Sequence, residues 1–107
     1  MRHERPCVFG RLTRFAGVAG DDSLELYVGL VRDRVLPVVR AIPGFRGYLA
    51  LSDRERGEVL VLTLWANEQQ MQESEQTTVE LRSEAADKVG ATVLSVERFR
   101  VAISELD

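Results

Sequence analysis

The hydrophobic positions of the chain are densest in residues 43–65, where two apolar segments flank a short charged one. The segments run from Phe45 to Leu51 and from Val59 to Trp65, and consist mainly of apolar, β-branched or aromatic residues. Residues 53–57 between them are charged and end in glycine, a composition typical of a hairpin connection. The pattern therefore predicts two paired strands. Residues 59–62, VLVL, are apolar on both faces, so the predicted sheet needs a cover on each side.

Two further β-prone segments lie near the ends of the chain. Residues 7–15 mix apolar residues with arginines, and residues 92–103, TVLSVERFRVAI, form a longer apolar run with interspersed charges. They predict the first and fourth strands, with Cys7 as a small buried hydrophobe on the first. Residues 1–6 are polar and contain His3, the single histidine. We expect residues 1–6 to be a flexible tail and residues 7–107 to be one domain.

Apolar residues at helical spacing predict a first helix after the first strand. Asp22 and Glu25 have the spacing of a capping box, which predicts the start of this helix. Pro37 predicts a kink with Leu36 displaced from helical geometry, and Pro43-Gly44 predicts the end. The predicted inward stripe consists of Leu24, Tyr27, Val28, Val31, Val35, Val38, Val39 and Ile42.

A second helix is predicted for residues 68–89, opened by a capping box of Asn67 and Gln70 and ended by a glycine. Its inward stripe contains Ser74 and Thr78 where a purely structural helix more often carries leucine or alanine. Two interpretations remain open: the small residues allow close packing on the sheet, or they form the polar edge of a cavity. The apolar stripe positions are Met71, Leu81, Ala85 and Val89.

The order strand, helix, strand, strand, helix, strand predicts the α+β class with a ferredoxin-like βαββαβ arrangement. In this arrangement a four-stranded antiparallel sheet carries both helices on one face. The other face would then expose more apolar surface than monomers usually do. We therefore predict a homodimer that pairs these sheet faces.

Composition excludes several classes of protein. A net charge of −3 with dispersed basic residues argues against nucleic-acid binding, and no apolar run approaches the ~18 residues of a membrane span. The start of the chain lacks the apolar core of a signal peptide, and the single cysteine cannot form an internal disulfide. We expect a cytoplasmic protein without a membrane partner. One histidine, one cysteine and no close acidic cluster also predict no metal site.

Three segments give the chain a resemblance to a known family. They are AIPGFRGYLALSD at residues 41–53, VLVLTLWANEQQM at residues 59–71 and QESEQTTVELRSEA at residues 72–85. Together they resemble the antibiotic biosynthesis monooxygenase family of dimeric α/β barrels. The resemblance spans most of the chain, and it is moderately specific for the fold and less so for any one activity.

The resemblance implies a ligand cavity between the helices and the sheet. Family members include cofactor-free monooxygenases that oxidise aromatic polyketides or quinols, haem-degrading enzymes, and proteins of unassigned function. Trp65 matches the family's pocket tryptophan, although a core tryptophan that anchors strand to helix explains it equally well. The haem-degrading branch fits badly, because Gly10 and Glu75 stand where its members carry asparagine and the haem-ligating histidine. We therefore expect no cofactor.

The expected function is that of a small monooxygenase acting on an aromatic, quinol-type molecule. Trp65 and Tyr27 would stack on the ligand, while Ser74 or Thr78 would orient its polar groups. The predicted pocket, of a few hundred Å³, is bounded by Gly10, Leu12, Tyr27, Trp65, Met71, Ser74 and Thr78. Two alternatives remain on the same fold: a non-catalytic ligand-binding or stress-response dimer, and a scaffold whose barrel is too full to admit a ligand.

Overall fold

The computed structural model describes residues 8–18 and 20–105. The strands are β1 (Phe9–Ala16), β2 (Phe45–Asp53), β3 (Glu58–Trp65) and β4 (Thr92–Arg100). The helical elements are α1 (Asp21–Leu30), a π-helical segment (Val31–Val35), α2 (Leu36–Val39), α3 (Glu68–Glu73) and α4 (Glu75–Val89). The predicted tail, with His3, and the position of Cys7 lie outside the described residues. Within the described ranges, no helix is long and apolar enough to cross a bilayer.

The strands form one antiparallel sheet in the order β2-β3-β1-β4. The two strands of the predicted hairpin pair with each other, and the first strand lies between β3 and β4. All helices pack on one face of this sheet. The predicted ferredoxin-like α+β fold is confirmed.

Side-chain alternation on β3 divides the sheet into two different faces. Val59, Val61, Thr63 and Trp65 are buried on the face that meets the helices. The intervening leucines point to the opposite face, and cross-strand pairing places leucines of β1 and β2 beside them. We call this surface the leucine face; it comprises Leu12, Leu49, Leu51, Leu60, Leu62 and Leu64. Its two members on the edge strand β2 are each 51% exposed.

The first helix begins two residues earlier than its capping box predicts, at Asp21. Gly20 is the N-cap, with φ 87°, and no side chain caps the helix. The predicted box is wrong because Asp22 lies inside the first turn and not at the N-cap position. Asp21 and Asp22 do lie in the first turn, where acidic groups interact favourably with the helix dipole.

The buried stripe of this helix repeats every four residues, at Tyr27, Val31, Val35 and Val39. An ideal α-helix would rotate such a stripe by about 40° per step, because it has 3.6 residues per turn. The wider π-helical segment takes up this drift and keeps the four side chains on the core. It follows that Val28 and Val38, predicted to face inward, are each 40% exposed.

The π-helical segment also changes how Pro37 is accommodated. The N–H of Leu36 bonds to the carbonyl of Val31, five residues back, and Leu36 itself has φ −59° and ψ −42°. The expected displacement of Leu36 from helical geometry is therefore wrong. Pro37 lacks an N–H. The irregular hydrogen bonding lies in the π-helical turn that ends at Val35, and Leu36 keeps helical geometry.

The second predicted helix is divided into α3 and α4 at Ser74. Its N-terminus is as predicted, because Asn67 Oδ1 accepts a 2.8 Å hydrogen bond from the N–H of Gln70. Its C-terminus is also as predicted, because Gly90 has the left-handed conformation with φ 71°. The division at Ser74 was not predicted, and it shapes the site described next.

Candidate functional site

A cavity of about 50 Å³ lies between the sheet, the first helical elements and α4. Its apolar walls are Phe15, Val35, Val39, Val61, Leu81 and Ala85. Hydroxyl groups come from Thr13, Tyr27, Tyr48, Thr63 and Thr78, and the cations are Arg11 and Arg82. Apolar walls and a few convergent polar groups around one partly open space are the usual composition of a small-molecule site.

Alternation along β1 places an arginine inside the protein. Arg11, Thr13 and Phe15 point toward the helices, and Arg11 is only 2% exposed. A buried guanidinium requires partners for its N–H groups, because desolvation of an unpaired charge is costly. The division between α3 and α4 provides them.

Three hydrogen bonds connect the guanidinium of Arg11 to this division. Nη2 donates to the carbonyl of Met71 at 2.7 Å and to Ser74 Oγ at 2.8 Å, while Nη1 donates to Thr78 Oγ1 at 3.2 Å. In a continuous α-helix the Met71 carbonyl would accept the N–H of the residue four positions later. Here it accepts from Ser74 Oγ, at 2.6 Å, and from Arg11. The helix break thus makes a carbonyl available for the arginine.

Trp65 packs against the same guanidinium. Arg11 Cζ lies 5.5 Å from the centroid of the indole, within cation–π range. The indole Nε1 donates to Thr63 Oγ1 at 2.9 Å, and Phe45 meets the ring edge-on at 5.7 Å. Trp65 is fully buried and is not one of the residues that line the cavity. Trp65 packs against Arg11, and Arg11 is the residue of this pair that lines the cavity.

The carboxylate of Glu75 lies close to three arginines at the mouth of this region. Glu75 Oε2 lies 2.9 Å from Nε of Arg11, and both Glu75 oxygens accept from Arg98 Nη2, at 2.7 and 2.8 Å. The Arg11 contact is an ion pair without hydrogen-bond geometry, since the buried Nε has no hydrogen-bond partner. Arg82 Nη2 lies 4.0 Å from Oε1, beyond hydrogen-bond distance. The cluster of these three arginines and Glu75 therefore has a net charge of +2.

Burial lowers the pKa of Arg11, Glu75 raises it, and the positive charges of Arg82 and Arg98 lower it further. Burial also lowers the pKa of Arg82, with Glu75 opposing and Arg98 reinforcing the effect. Arginine still remains protonated at neutral pH, because its ordinary pKa is above 12. The cavity is therefore lined by permanent positive charge that the protein itself neutralises only in part.

Two tyrosines face each other across the cavity. The hydroxyls of Tyr27 and Tyr48 lie 3.3 Å apart, and either one can donate to the other. Burial is the main cause that raises the pKa of both phenols. Both side chains are consequently neutral at physiological pH, so they act as hydrogen-bond donors and not as phenolate bases.

Comparison with known proteins assigns the chain to a family. The sequence profile described as antibiotic biosynthesis monooxygenase matches residues 19–81, more than half of the chain. The chain belongs to this family. Two uncharacterized proteins of Mycobacterium tuberculosis are 26% identical over 89 residues, an alignment that covers 83% of this chain and 39% of each relative. The chain thus corresponds to about two fifths of the length of these relatives.

Solved structures of two oxygenases share the fold. A monooxygenase from the gene ActVA-Orf6 of Streptomyces coelicolor, in complex with Nanaomycin D, superposes with a TM-score of 0.71 at 18% identity, covering 95% of this chain and 94% of that one. SnoaB from Streptomyces nogalater, a cofactor-independent oxygenase, gives 0.64 at 16% identity, covering 94% and 97%. At these identities the likeness shows the fold alone.

The structure brings together only part of the predicted family pocket. Tyr27 and Thr78 line the cavity, whereas Met71, Ser74 and Trp65 surround Arg11 behind its wall. Ser74 and Thr78 also donate to carbonyls of their own helical segments, so their hydroxyls are already engaged. The cavity is also smaller than the few hundred Å³ expected, with room for a few water molecules.

Gly10 and Leu12 require a correction. Their cross-strand partners are Leu64 and Leu62, so they lie on the leucine face, on the other side of the sheet from Tyr27. A Cβ at Gly10 would meet the side chain of Leu62 at 3.2 Å. The predicted placement is wrong by one step of strand alternation, which reverses the face.

Sequence reasoning missed Arg11, Arg82 and Tyr48. Arg11 shares its face of β1 with Thr13 and Phe15, and this period of two was the signal for its inward direction. Tyr48 pairs with Thr63 across the hairpin, so the hairpin register also predicted its face.

The residues of this family member do not fit the haem-degrading branch. Glu75, which the resemblance matches with the haem-ligating histidine, uses its carboxylate oxygens for Arg11 and Arg98. A carboxylate held by two guanidinium groups cannot replace an imidazole as an axial ligand. In the described part of the chain, no three His, Cys, Asp or Glu side chains are grouped so that they could hold a metal ion.

Proposed function

We propose that this protein is a monooxygenase that oxidises a small, electron-rich aromatic molecule of the quinol or anthrone type without a cofactor. The observation that supports this most is the cavity between helices and sheet, where hydroxyl groups and two arginines meet apolar walls. The family assignment and the cofactor-independent oxygenase among the structural neighbours support the same reaction class.

The proposed reaction requires little from the protein. Ionisation of an anthrone, with its proton released to solvent water at the mouth of the cavity, gives a carbanion that can donate an electron to O₂, and the oxygen then forms a bond to the same carbon. The CH₂ group becomes C=O, while the two hydrogens leave with the second oxygen atom as water. The substrate loses four electrons and O₂ accepts them, so no further reductant is needed.

The lining residues suit the charge that develops in this reaction. The guanidinium groups of Arg11 and Arg82 would stabilise the ionised substrate, because an oriented cation in a water-poor site interacts strongly with a developing anion. The neutral hydroxyls of Tyr27 and Tyr48 would donate hydrogen bonds to substrate oxygens. Because the cavity is small, the side chains at its mouth must move when a ring enters.

The second part of the proposal is a homodimer that pairs the leucine faces. Leu49 and Leu51 are each 51% exposed, and Phe99 of β4 on the same side is 48% exposed. Covering this surface gains free energy in proportion to the apolar area removed from water. We expect an interface at or above ~1,600 Å² in total. A stable monomer at micromolar concentration in sedimentation velocity would contradict it, and Leu62→Asp should yield that monomer.

The alternative is a ligand-binding protein, stress-related or otherwise, that does not turn over its ligand. The lining side chains favour this alternative, because neutral tyrosines and protonated arginines cannot accept the proton that an oxygenase substrate must lose. The two candidates differ in oxygen consumption and not in binding.

Oxygen uptake with a panel of anthrones and quinols tests the proposal. We expect catalysed uptake that falls about tenfold or more in the double variant Tyr27→Phe/Tyr48→Phe, because hydrogen bonds formed in the transition state are lost while both rings remain. Arg34→Gln is the matched control, since Arg34 pairs with Glu84 at the surface. Binding without uptake above the uncatalysed rate would favour the alternative.

A further inference from the structure

The uneven use of Glu75 by its three arginines leaves one of them without a strong partner. Both oxygens of this carboxylate contact Arg98, and one contacts Arg11. Arg82 approaches no closer than 4.0 Å, and among the described residues it has no hydrogen bond. A guanidinium has five N–H donors, so Arg82 retains its full capacity to bind another group.

Arg82 lies beside the space that a bound ligand would occupy. Its side chain is 13% exposed and lines the cavity together with Arg11. Arg11 differs from it, because both Nη atoms already donate to Met71, Ser74 and Thr78. Arg11 therefore contributes a fixed positive charge, whereas Arg82 contributes a positive charge with free donors.

The chemistry opposite Arg82 restricts what can enter. The remaining cavity wall is apolar or carries neutral hydroxyls, and none of the described residues that line it has a carboxylate. A cationic ligand would meet two guanidinium groups whose charge the single carboxylate of Glu75 compensates only in part, which is repulsive in a site of low dielectric constant. A neutral ring would leave the positive charge of Arg82 without a compensating charge in the cavity. A flat ring with an ionised oxygen satisfies both the walls and the arginine.

We infer that the cavity selects aromatic oxyanions, either phenolates or carboxylates, and that Arg82 is the residue that binds the ionised oxygen. This inference rests on the proposed function for the location of the ligand, but not for any turnover. The ligand supplies negative charge that the cluster of Arg11, Arg82, Arg98 and Glu75 lacks. The site then discriminates between ligands mainly by their charge and only secondarily by their shape.

The binding of 4-nitrophenol tests the phenolate case, because its ionised form absorbs in the visible range and its neutral form does not. At a pH just below the pKa of the free phenol, addition of the protein should increase the phenolate band. We expect the pKa of bound 4-nitrophenol to fall by about one unit, which corresponds to about tenfold tighter binding of the anion. Arg82→Lys should keep part of the shift and Arg82→Gln should lose it.

The carboxylate case is tested by comparing the affinities of the protein for a matched pair of ligands. 4-Nitrobenzoate should bind about tenfold or more tightly than its neutral analogue 4-nitrobenzamide, as one charge-assisted hydrogen bond suggests. Arg34→Gln, a surface variant on the neighbouring helix, should leave this preference unchanged. Success in one arm alone would identify which oxyanion the site takes.

The inference is overturned if the wild-type protein shows no preference for the anion in either arm. It is also overturned if Arg82→Gln, shown by circular dichroism to be folded, retains the preference. The wild-type comparison does not depend on the variant, so a misfolded Arg82→Gln protein does not remove the test. Both arms run without oxygen. Anion preference without oxygen uptake would therefore refute the proposed oxygenase and leave this inference standing.

Discussion

The ion pair between Arg11 and Glu75 allows a quantitative test, because its two partners are buried to different extents. Arg11 is 2% exposed and Glu75 is 27% exposed. Removing one partner from a buried pair costs about 3–5 kcal/mol, because the other charge stays behind without compensation. The order of effects therefore depends on which charge remains in the interior.

Glu75→Gln leaves the buried cation in place. Arg11 keeps its three hydrogen bonds, and Glu75 is partly solvated, so we expect a loss of about 2–3 kcal/mol in the free energy of unfolding. Arg11→Met removes the cation itself and leaves Glu75 paired with Arg98. Arg11→Met loses the three hydrogen bonds of the guanidinium, but it also removes the free-energy cost of burying that cation. We therefore expect a smaller loss in the free energy of unfolding, about 1–2 kcal/mol.

The double variant Arg11→Met/Glu75→Gln should be about as stable as Arg11→Met alone, since no buried charge then lacks a partner. The expected coupling energy is then about 2–3 kcal/mol, equal to the loss expected for Glu75→Gln alone. Urea unfolding measures it, followed by the fluorescence of Trp65, the single tryptophan, and by circular dichroism at matched protein concentration. If the two losses add within about 0.5 kcal/mol, the proposed electrostatic role of Glu75 is refuted.

Two further variants address the first helix and the tyrosine pair. Gly44→Val should lower the thermal midpoint more than Pro37→Ala, because Gly44 has φ 87° and an added Cβ would lie 2.7 Å from Cβ of Gln70. Equal midpoints in calorimetry would contradict this account of Gly44. Tyr48→Phe should cost only about 1 kcal/mol, since a single hydrogen bond to Tyr27 is lost from a ring that stays packed. A loss of more than about 3 kcal/mol in denaturant unfolding would show that the hydroxyl has partners besides Tyr27.

The strands were predictable from sequence because each β segment carries its own evidence. The apolar run of β3 and the glycine at position 57 locate the hairpin within a few residues. The helix ends at Asn67 and Gly90 were predictable for the same reason, because capping depends on residues close in sequence. Such local chemistry requires no knowledge of the rest of the chain.

The arginine cluster depends on contacts between distant parts of the chain. Arg11 is 63 residues from Ser74, and a strand arginine is usually a surface residue unless the fold supplies buried acceptors. The helix break that frees the Met71 carbonyl also has no sequence signature, since residues 68–89 have one continuous helical pattern. Ser74 and Thr78 were correctly recognised as unusual. Their role proved to be the binding of a buried cation, which the sequence pattern did not indicate.

Product analysis under isotopically labelled O₂ tests the proposed monooxygenase most directly. With an anthrone substrate, the account predicts that the protein accelerates formation of the quinone and that the new carbonyl contains one labelled oxygen atom. Arg34→Gln should behave as the wild type, and Arg82→Gln should approach the uncatalysed rate. Quinone formation at the uncatalysed rate with the wild-type protein, or a product oxygen derived from water without exchange, would contradict the account.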